Sequence, residues 1–232
     1  MIKNAVIFDL DGTLIDTPRA IIETFTQTFL TMGQTAQKAE DIRATIGLPL
    51  EKAFSHLLNV PLDNELVIQS IKQYQLLFRE IILPKAKTLV FPGVETGLNI
   101  LSDQGLALAI ATSKFYTSAD LLLKAAGLRD YFSVVVGADQ VSRPKPDPES
   151  GYLTLKKLGN TPVDNSIMVG DTTHDLQMAN SAGMRSIAVT YGIHNLSLLK
   201  TSNPTWIADS FADVVNAITE AFQLKQIEAV IL

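Results

Sequence analysis

Short apolar runs that break off in Asp, Thr, Gly or Ser recur along this chain, at residues 5–8, 106–111, 134–136, 167–169 and 186–189. Runs of that length without polar alternation have the pattern of strands buried on both faces. Between them lie stretches with helical spacing. Leu121, Leu122, Ala125 and Ala126 are closed by Gly127, and residues 176–182 by Gly183, each glycine serving as a C-terminal stop. Alternating short strands and helices require right-handed crossovers and a mostly parallel sheet, with function at the carboxyl ends of the strands. The expected fold is therefore α/β, with a Rossmann-like parallel sheet.

One region breaks the alternation. Residues 17–87 contain no buried strand pattern, only helical stripes: Ile21, Ile22, Phe25 and Phe29, then Val67, Ile71, Tyr74, Phe78 and Ile81. Thr17 before Pro18 reads as an N-cap with proline at the first helical position. Structureless connections of that length are rare, so residues 17–87 are expected to form an inserted all-α domain. The Rossmann-like core would then comprise residues 1–16 and 88–232. Trp206 is expected to pack on the last strand. The apolar segment 221–232 could extend the last helix, cover a sheet edge or join a partner.

Composition narrows the function classes. With 47% hydrophobic and 19% charged residues among 232, the chain can bury a core. Its net charge of -5, with no basic cluster, speaks against a nucleic acid polymer as partner. No apolar run approaches the roughly 18 residues that span a bilayer, so no membrane is expected and the expected location is cytoplasmic. The absence of cysteine removes disulfides, thiol nucleophiles and Cys-ligated zinc.

The sharpest local signal is Asp9-Leu10-Asp11-Gly12-Thr13, directly after the first apolar run. An extended chain has a period of two, so Asp9 and Asp11 emerge on one side at the strand end, where Gly12 lets the backbone turn. Two carboxylates so close repel unless a cation lies between them or one is protonated. Those are the demands of metal-assisted nucleophilic and acid/base chemistry. A second acidic cluster, Gly170-Asp171-Thr172-Thr173-His174-Asp175, follows the run at 167–169. Alone, Asp171 would read as a helix N-cap; beside a strand carrying Asp9 it offers the hard oxygen donors that Mg²⁺ prefers. Thr112 and Ser113 end the run at 106–111 and offer hydroxyl and N–H groups. Lys145 lies in a proline-rich turn, Arg143-Pro144-Lys145-Pro146-Asp147-Pro148, that restrains its backbone.

These four elements, in this order, resemble the haloacid dehalogenase superfamily of Asp-nucleophile phosphotransferases. The resemblance spans essentially the whole chain, and the insertion at 17–87 matches the superfamily's helical cap. It implies that Asp9 is the nucleophile and that Asp11 is the general acid and base. Asp9, Asp171 and the main-chain carbonyl of Asp11 would hold Mg²⁺, while Asp175 orients that shell and Lys145. Thr112, Ser113 and Lys145 would bind the phosphoryl oxygens. Asp11 sets the chain apart from dehalogenase and phosphonatase members, which lack an acid two places after the nucleophile. Leu14-Ile15-Asp16-Thr17 and Ile46-Gly47-Leu48-Pro49-Leu50 are most similar to the phosphoglycolate phosphatase and pyrophosphatase branch. Sugar phosphomutase members place an Arg after the glycine that matches Gly47, where this chain has Leu48.

The resulting expectation is a Mg²⁺-dependent phosphatase, monomeric or homodimeric, acting on a small phosphorylated metabolite such as phosphoglycolate. Arg43, Gly47 and Lys52 are candidate specificity residues of the cap, although a solvated helix face is the favoured reading for the two cations. Alternatives within the superfamily are pyrophosphatase, nucleotide or sugar phosphatase, and β-phosphoglucomutase-like phosphotransferase. Outside enzymes, the alternatives are a phospho-accepting regulatory module or a catalytically silent scaffold.

Overall fold

A computed structural model describes residues 4–224; the end of the apolar C-terminal segment, residues 225–232, lies outside the described residues. Six parallel strands form one sheet: β1 (Ala5–Phe8), β2 (Ala107–Ala111), β3 (Val134–Val136), β4 (Ser166–Gly170), β5 (Arg185–Val189) and β6 (Trp206–Ala208). Their spatial order is β3-β2-β1-β4-β5-β6. The chain leaves β1 toward β2 and β3, then returns to the other side of β1 to form β4. That reversal opens a crevice at the carboxyl ends of the central strands, the usual ligand position in open parallel sheets.

All four residues of β1 are fully buried, because the sheet is covered on both sides. Val6 and Phe8 face the larger core with α5 (Val94–Asp103), α6 (Tyr116–Ala126) and α10 (Phe211–Ala221); Phe8 packs on Phe132 and Phe211. Ala5 and Ile7 face the opposite core with α7 (Glu149–Lys157) and α8 (Thr173–Ala182). Helices α6 and α8 end at Gly127 and Gly183 in left-handed conformation, as their spacing predicts. Trp206 lies within β6 rather than packing onto it, with its ring against the Arg185 guanidinium. β6 lies outside the five apolar runs, since its three residues, with Ile207 exposed, are too short and too mixed for that pattern. Among the described residues, no helix is long and apolar enough to cross a membrane.

Between β1 and β2 the chain forms α1 (Pro18–Thr31), α2 (Ala39–Ala44), α3 (Leu50–Leu58), α4 (Glu65–Ile81) and a 3₁₀ segment, Leu83–Leu89. The two predicted stripes turn inward. Ile21, Phe25 and Phe29 of α1 and Val67, Tyr74 and Phe78 of α4 are buried, with Phe54 of α3 between them. Phe25 lies 4.7 Å from Phe54 and 4.9 Å from Tyr74, centroid to centroid, within the usual range for aromatic pairs. The outgoing and returning chains are tied together where Asp16 N–H donates to the Leu89 carbonyl and Phe91 N–H to that of Leu14.

Gly97 marks the tightest helix contact on the sheet's larger core. A methyl group there would lie 2.6 Å from the Phe211 ring and 2.8 Å from Val215. Crowding of that kind costs about 1–3 kcal/mol, against about 1 kcal/mol of helix propensity gained. Gly97→Ala is therefore expected to lower the unfolding free energy by up to about 2 kcal/mol, measured by denaturant unfolding. A raised midpoint would show that α5 and α10 yield freely.

Candidate active site

Asp9 is the first residue past β1, and its N–H donates to the Val169 carbonyl of β4, which prolongs the sheet register by one residue. Its side chain therefore leaves at the crevice between β1 and β4. The next turn folds back on itself, with Gly12 N–H donating to Ile15 and Leu14 N–H to Leu10. Gly12 has φ +84°, and a Cβ there would lie 2.2 Å from Asp171 Oδ2. Only glycine allows both this turn and the approach of the Asp171 carboxylate. Thr17 sits at the N-cap position of α1, but its hydroxyl does not cap the helix; it donates to Asp11 Oδ1 at 2.6 Å. The other oxygen of Asp11 lies 3.1 Å from Lys114 Nζ. Both oxygens of Asp11 are thereby held beside Asp9 in one cavity.

Lys145 is 4% exposed. Its ammonium donates to Asp9 Oδ1 at 2.8 Å, to the Ala111 carbonyl at 3.0 Å and to Asp175 Oδ1 at 2.5 Å. All three protons are used, and the ends of β1, β2 and the start of α8 are joined. Burial alone would lower the affinity of Lys145 for its proton, but Asp175 and Asp9 outweigh it and hold the group above the usual lysine value. Asp175 is also the third residue of a capping box: its second oxygen accepts from the N–H and hydroxyl of Thr172. Thr172, not Asp171, is the N-cap of α8.

Asp171 is free of capping duty and points to the crevice. Its Oδ1 accepts from the Thr13 hydroxyl and its Oδ2 from the Ile193 N–H. The loop after β5 crosses directly over it: a Cβ on Gly192 would lie 2.3 Å from the Asp171 side chain, and Tyr191 donates its hydroxyl to the Thr13 carbonyl. Burial raises the Asp171 carboxyl well above its ordinary value, and Asp9 and Asp175 add to that. Burial likewise pushes Asp9 up to about 7, against the pull of Lys145.

Carboxylate oxygens of Asp9, Asp171 and Asp175 lie within 4.8 Å of one another, all three residues buried. One ammonium cannot neutralise three carboxylates, and a dry cluster with surplus negative charge and only hard oxygen donors suits Mg²⁺. The Asp175 oxygens are held by Lys145 and Thr172, whereas Asp9 keeps one oxygen without a hydrogen bond and Asp171 accepts only from the Thr13 hydroxyl and the Ile193 N–H, so Asp9 and Asp171 would be the side chains to hold the ion.

At the end of β2, Thr112 Oγ1 accepts from the Lys114 N–H. The Ser113 hydroxyl is buried with no hydrogen-bond partner among the described residues. Both residues line the cavity with Asp9 and Asp11, so an anion beside Asp9 would meet them. The helical region closes the other side through Ile46, Gly47, Leu48 and Leu50. Arg43 and Lys52 do not line it. Both are exposed, and Arg43 instead reaches the Ile193 carbonyl at 3.5 Å. Sequence spacing did not single out Lys114 or Tyr74; Lys114 directly follows Ser113, and Tyr74 was read only as part of a core stripe.

Residues 6–189 match the family model of haloacid dehalogenase-like hydrolases. The chain is 51% identical over 223 residues to "Probable phosphatase IndB" of Dickeya dadantii, covering 96% of each. It is 34% identical to Pyrophosphatase PpaX of Halalkalibacterium halodurans, over 93% of this chain and 96% of that one. Among solved structures, a haloacid dehalogenase-like family hydrolase from Streptococcus pneumoniae superposes with a TM-score of 0.78 at 27% identity, covering 93% of this chain and 98% of the other. A six-stranded parallel sheet with acidic residues at the ends of β1 and β4, together with these matches, makes the chain a member of the haloacid dehalogenase-like hydrolase family.

Proposed function

We propose that this protein is a Mg²⁺-dependent phosphatase that hydrolyses a small phosphomonoester through an aspartyl phosphate on Asp9. The observation that carries the reading is the placement of Asp9 at the end of β1: Lys145 holds one carboxylate oxygen, and the other is left toward a cavity that also contains Asp11, Thr112 and Ser113. The names of two relatives, a phosphatase and a pyrophosphatase, support it. Residues 17–87 act as a cap over the site.

The free oxygen of Asp9 attacks phosphorus in line, forming the Asp9 O–P bond as the bond from phosphorus to the ester oxygen breaks. Asp11 delivers a proton to that departing oxygen. Water then enters on the opposite side, Asp11 takes its proton, and the bond from phosphorus to Asp9 breaks to release phosphate and restore the carboxylate. Thr17 and Lys114 keep Asp11 on the path of both transfers. Ser113 and Thr112 donate to the phosphoryl oxygens, whose charge spreads in the transition state, while Lys145, its protons held by Asp9, Ala111 and Asp175, contributes its positive charge beside them. When bound between Asp9 and Asp171, Mg²⁺ supplies positive charge that lets an anionic phosphoryl group approach an anionic nucleophile. The helical cover limits the reaction to small substrates and keeps stray water from the intermediate. Phosphoglycolate, expected from the resemblance, and inorganic pyrophosphate, expected from the relatives' name, are the reference compounds for this reading.

Asp9→Asn is expected to abolish phosphate release from every substrate while leaving the thermal unfolding midpoint intact or higher, since a crowded charge is removed. Asp11→Asn should lower kcat about 10²–10⁴-fold, the usual worth of a positioned acid and base. Undiminished turnover in either variant would overturn the assignment. Metal affinity should also depend on pH. Mg²⁺ takes the deprotonated carboxylates, and Asp9, at about 7, and Asp171, raised well above its ordinary value by burial, hold protons in acid. Lowering the pH from 8 to 6 therefore makes the ion displace protons and weakens its binding, approaching tenfold per unit below about 7 for one proton. Calorimetric titration with MgCl₂ checks this; an affinity independent of pH, or rising in acid, would contradict the buried cluster.

A further inference from the structure

The two sides of the cavity differ in chemistry. The sheet side is polar and charged, whereas the helical side presents Ile21, Phe25, Ile46, Leu48, Leu50 and Tyr74. Lys114 is the one cation among the lining residues, and it is already paired with Asp11 and stacked over the Phe78 ring. Arg43 and Lys52 lie outside the lining and face solvent. A second carboxylate or phosphate on the substrate would thus lose its hydration against apolar side chains without gaining a free partner, an unfavourable transfer.

Two polar side chains line the helical side, Thr45 and Tyr74, and the Thr45 hydroxyl is spent on the Ile42 carbonyl. Tyr74 is 5% exposed, its ring is fixed between Phe25 and Phe54, and its hydroxyl has no hydrogen-bond partner among the described residues. Burial, with the Asp11 charge nearby, raises the phenol above its ordinary value, so the group stays a neutral donor. A hydroxyl that has no partner among the described residues and lines a ligand cavity is available to a ligand. The cavity, about 70 Å³, has room for a phosphoryl group and a leaving group of a few atoms.

Building on the phosphatase reading above, we propose that the helical region selects an uncharged leaving group, apolar in its body and carrying one acceptor for the Tyr74 hydroxyl. Tyr74 is then a specificity-determining residue, and the second anion of phosphoglycolate or pyrophosphate is disfavoured.

The test compares kcat/KM of the intact protein with Mg²⁺ on butyl phosphate, its ether isostere 2-methoxyethyl phosphate, phosphoglycolate and pyrophosphate, with p-nitrophenyl phosphate as a general substrate. Both uncharged alkyl esters should exceed phosphoglycolate and pyrophosphate at least tenfold, the discrimination that a few apolar contacts provide. In Tyr74→Phe, the ratio of the ether to butyl phosphate should fall at least threefold, chiefly through KM. Comparing that ratio between the two proteins cancels the intrinsic difference between leaving groups. Turnover of p-nitrophenyl phosphate with phosphoglycolate or pyrophosphate equal to or better than the alkyl esters overturns this inference and leaves the phosphatase reading standing. An ether-to-butyl ratio unchanged in Tyr74→Phe overturns the role of Tyr74. Absence of Mg²⁺-dependent turnover on all five compounds overturns the phosphatase reading and this inference with it.

Discussion

The buried ammonium of Lys145 is the interaction on which the site depends. It reaches Asp9 on β1, the Ala111 carbonyl on β2 and Asp175 on α8, so three separate segments converge on one charge. Removing the ammonium itself would leave the buried Asp9 and Asp175 carboxylates with no cation between them, at a cost of about 3–5 kcal/mol, whereas Lys145 without Asp9 still keeps Asp175. The cluster is therefore held to a single arrangement. Lys145 comes from a loop with three prolines in six residues, at 143–148, where restricted backbone freedom lowers the entropy lost when that lysine is fixed.

The sheet order explains why these segments meet. With β1 central and β2 and β4 on either side, the residues that follow the three strands share one edge: Asp9, then Thr112 and Ser113, then Asp171. The central strand β1 is apolar and buried throughout, so its acidic residues can emerge only past its carboxyl end. The loop after β5 closes the arrangement from above. Its Ile193 N–H binds Asp171, and Tyr191 holds the Thr13 carbonyl, so the turn after β1 and the acidic turn after β4 are fixed against each other.

The sheet and the placement of its acidic residues were legible in the sequence because both follow from short-range rules: strand length, a period of two past β1, and glycine stops at Gly127 and Gly183. What remained hidden was set by contacts distant in sequence. Thr17 looked like a helix cap, yet its hydroxyl serves Asp11, which the loop fold carries back toward α1. Asp171 had the spacing of a cap, but Thr172 takes that position because Asp175 can bind both its N–H and hydroxyl. Arg43 and Lys52 were near Gly47 in sequence, but helical periodicity turns them to solvent while Gly47 faces the cavity. Tyr74 belongs to an apolar stripe, and a stripe says which way a ring points, not what its hydroxyl meets.

This difference in legibility follows the physical division of the molecule. Chemistry in the crevice is specified by charged groups whose positions are dictated by strand ends, and strand ends leave strong local patterns. The opposite wall is made by side chains from α1, the 45–50 turn and α4 that are far apart in sequence and individually ordinary for a helical core. The selectivity proposed for it rests on what is absent as much as on what is present: the one cation among the lining residues, Lys114, is paired with Asp11, and on the helical wall the Tyr74 hydroxyl has no partner among the described residues. Substitutions in that wall can change the accepted leaving group without touching Asp9, Lys145 or Asp171, because the aromatic cluster behind it is packed within the helices rather than against the acidic residues. A scaffold so divided can keep one phosphoryl-transfer apparatus while its helical wall varies.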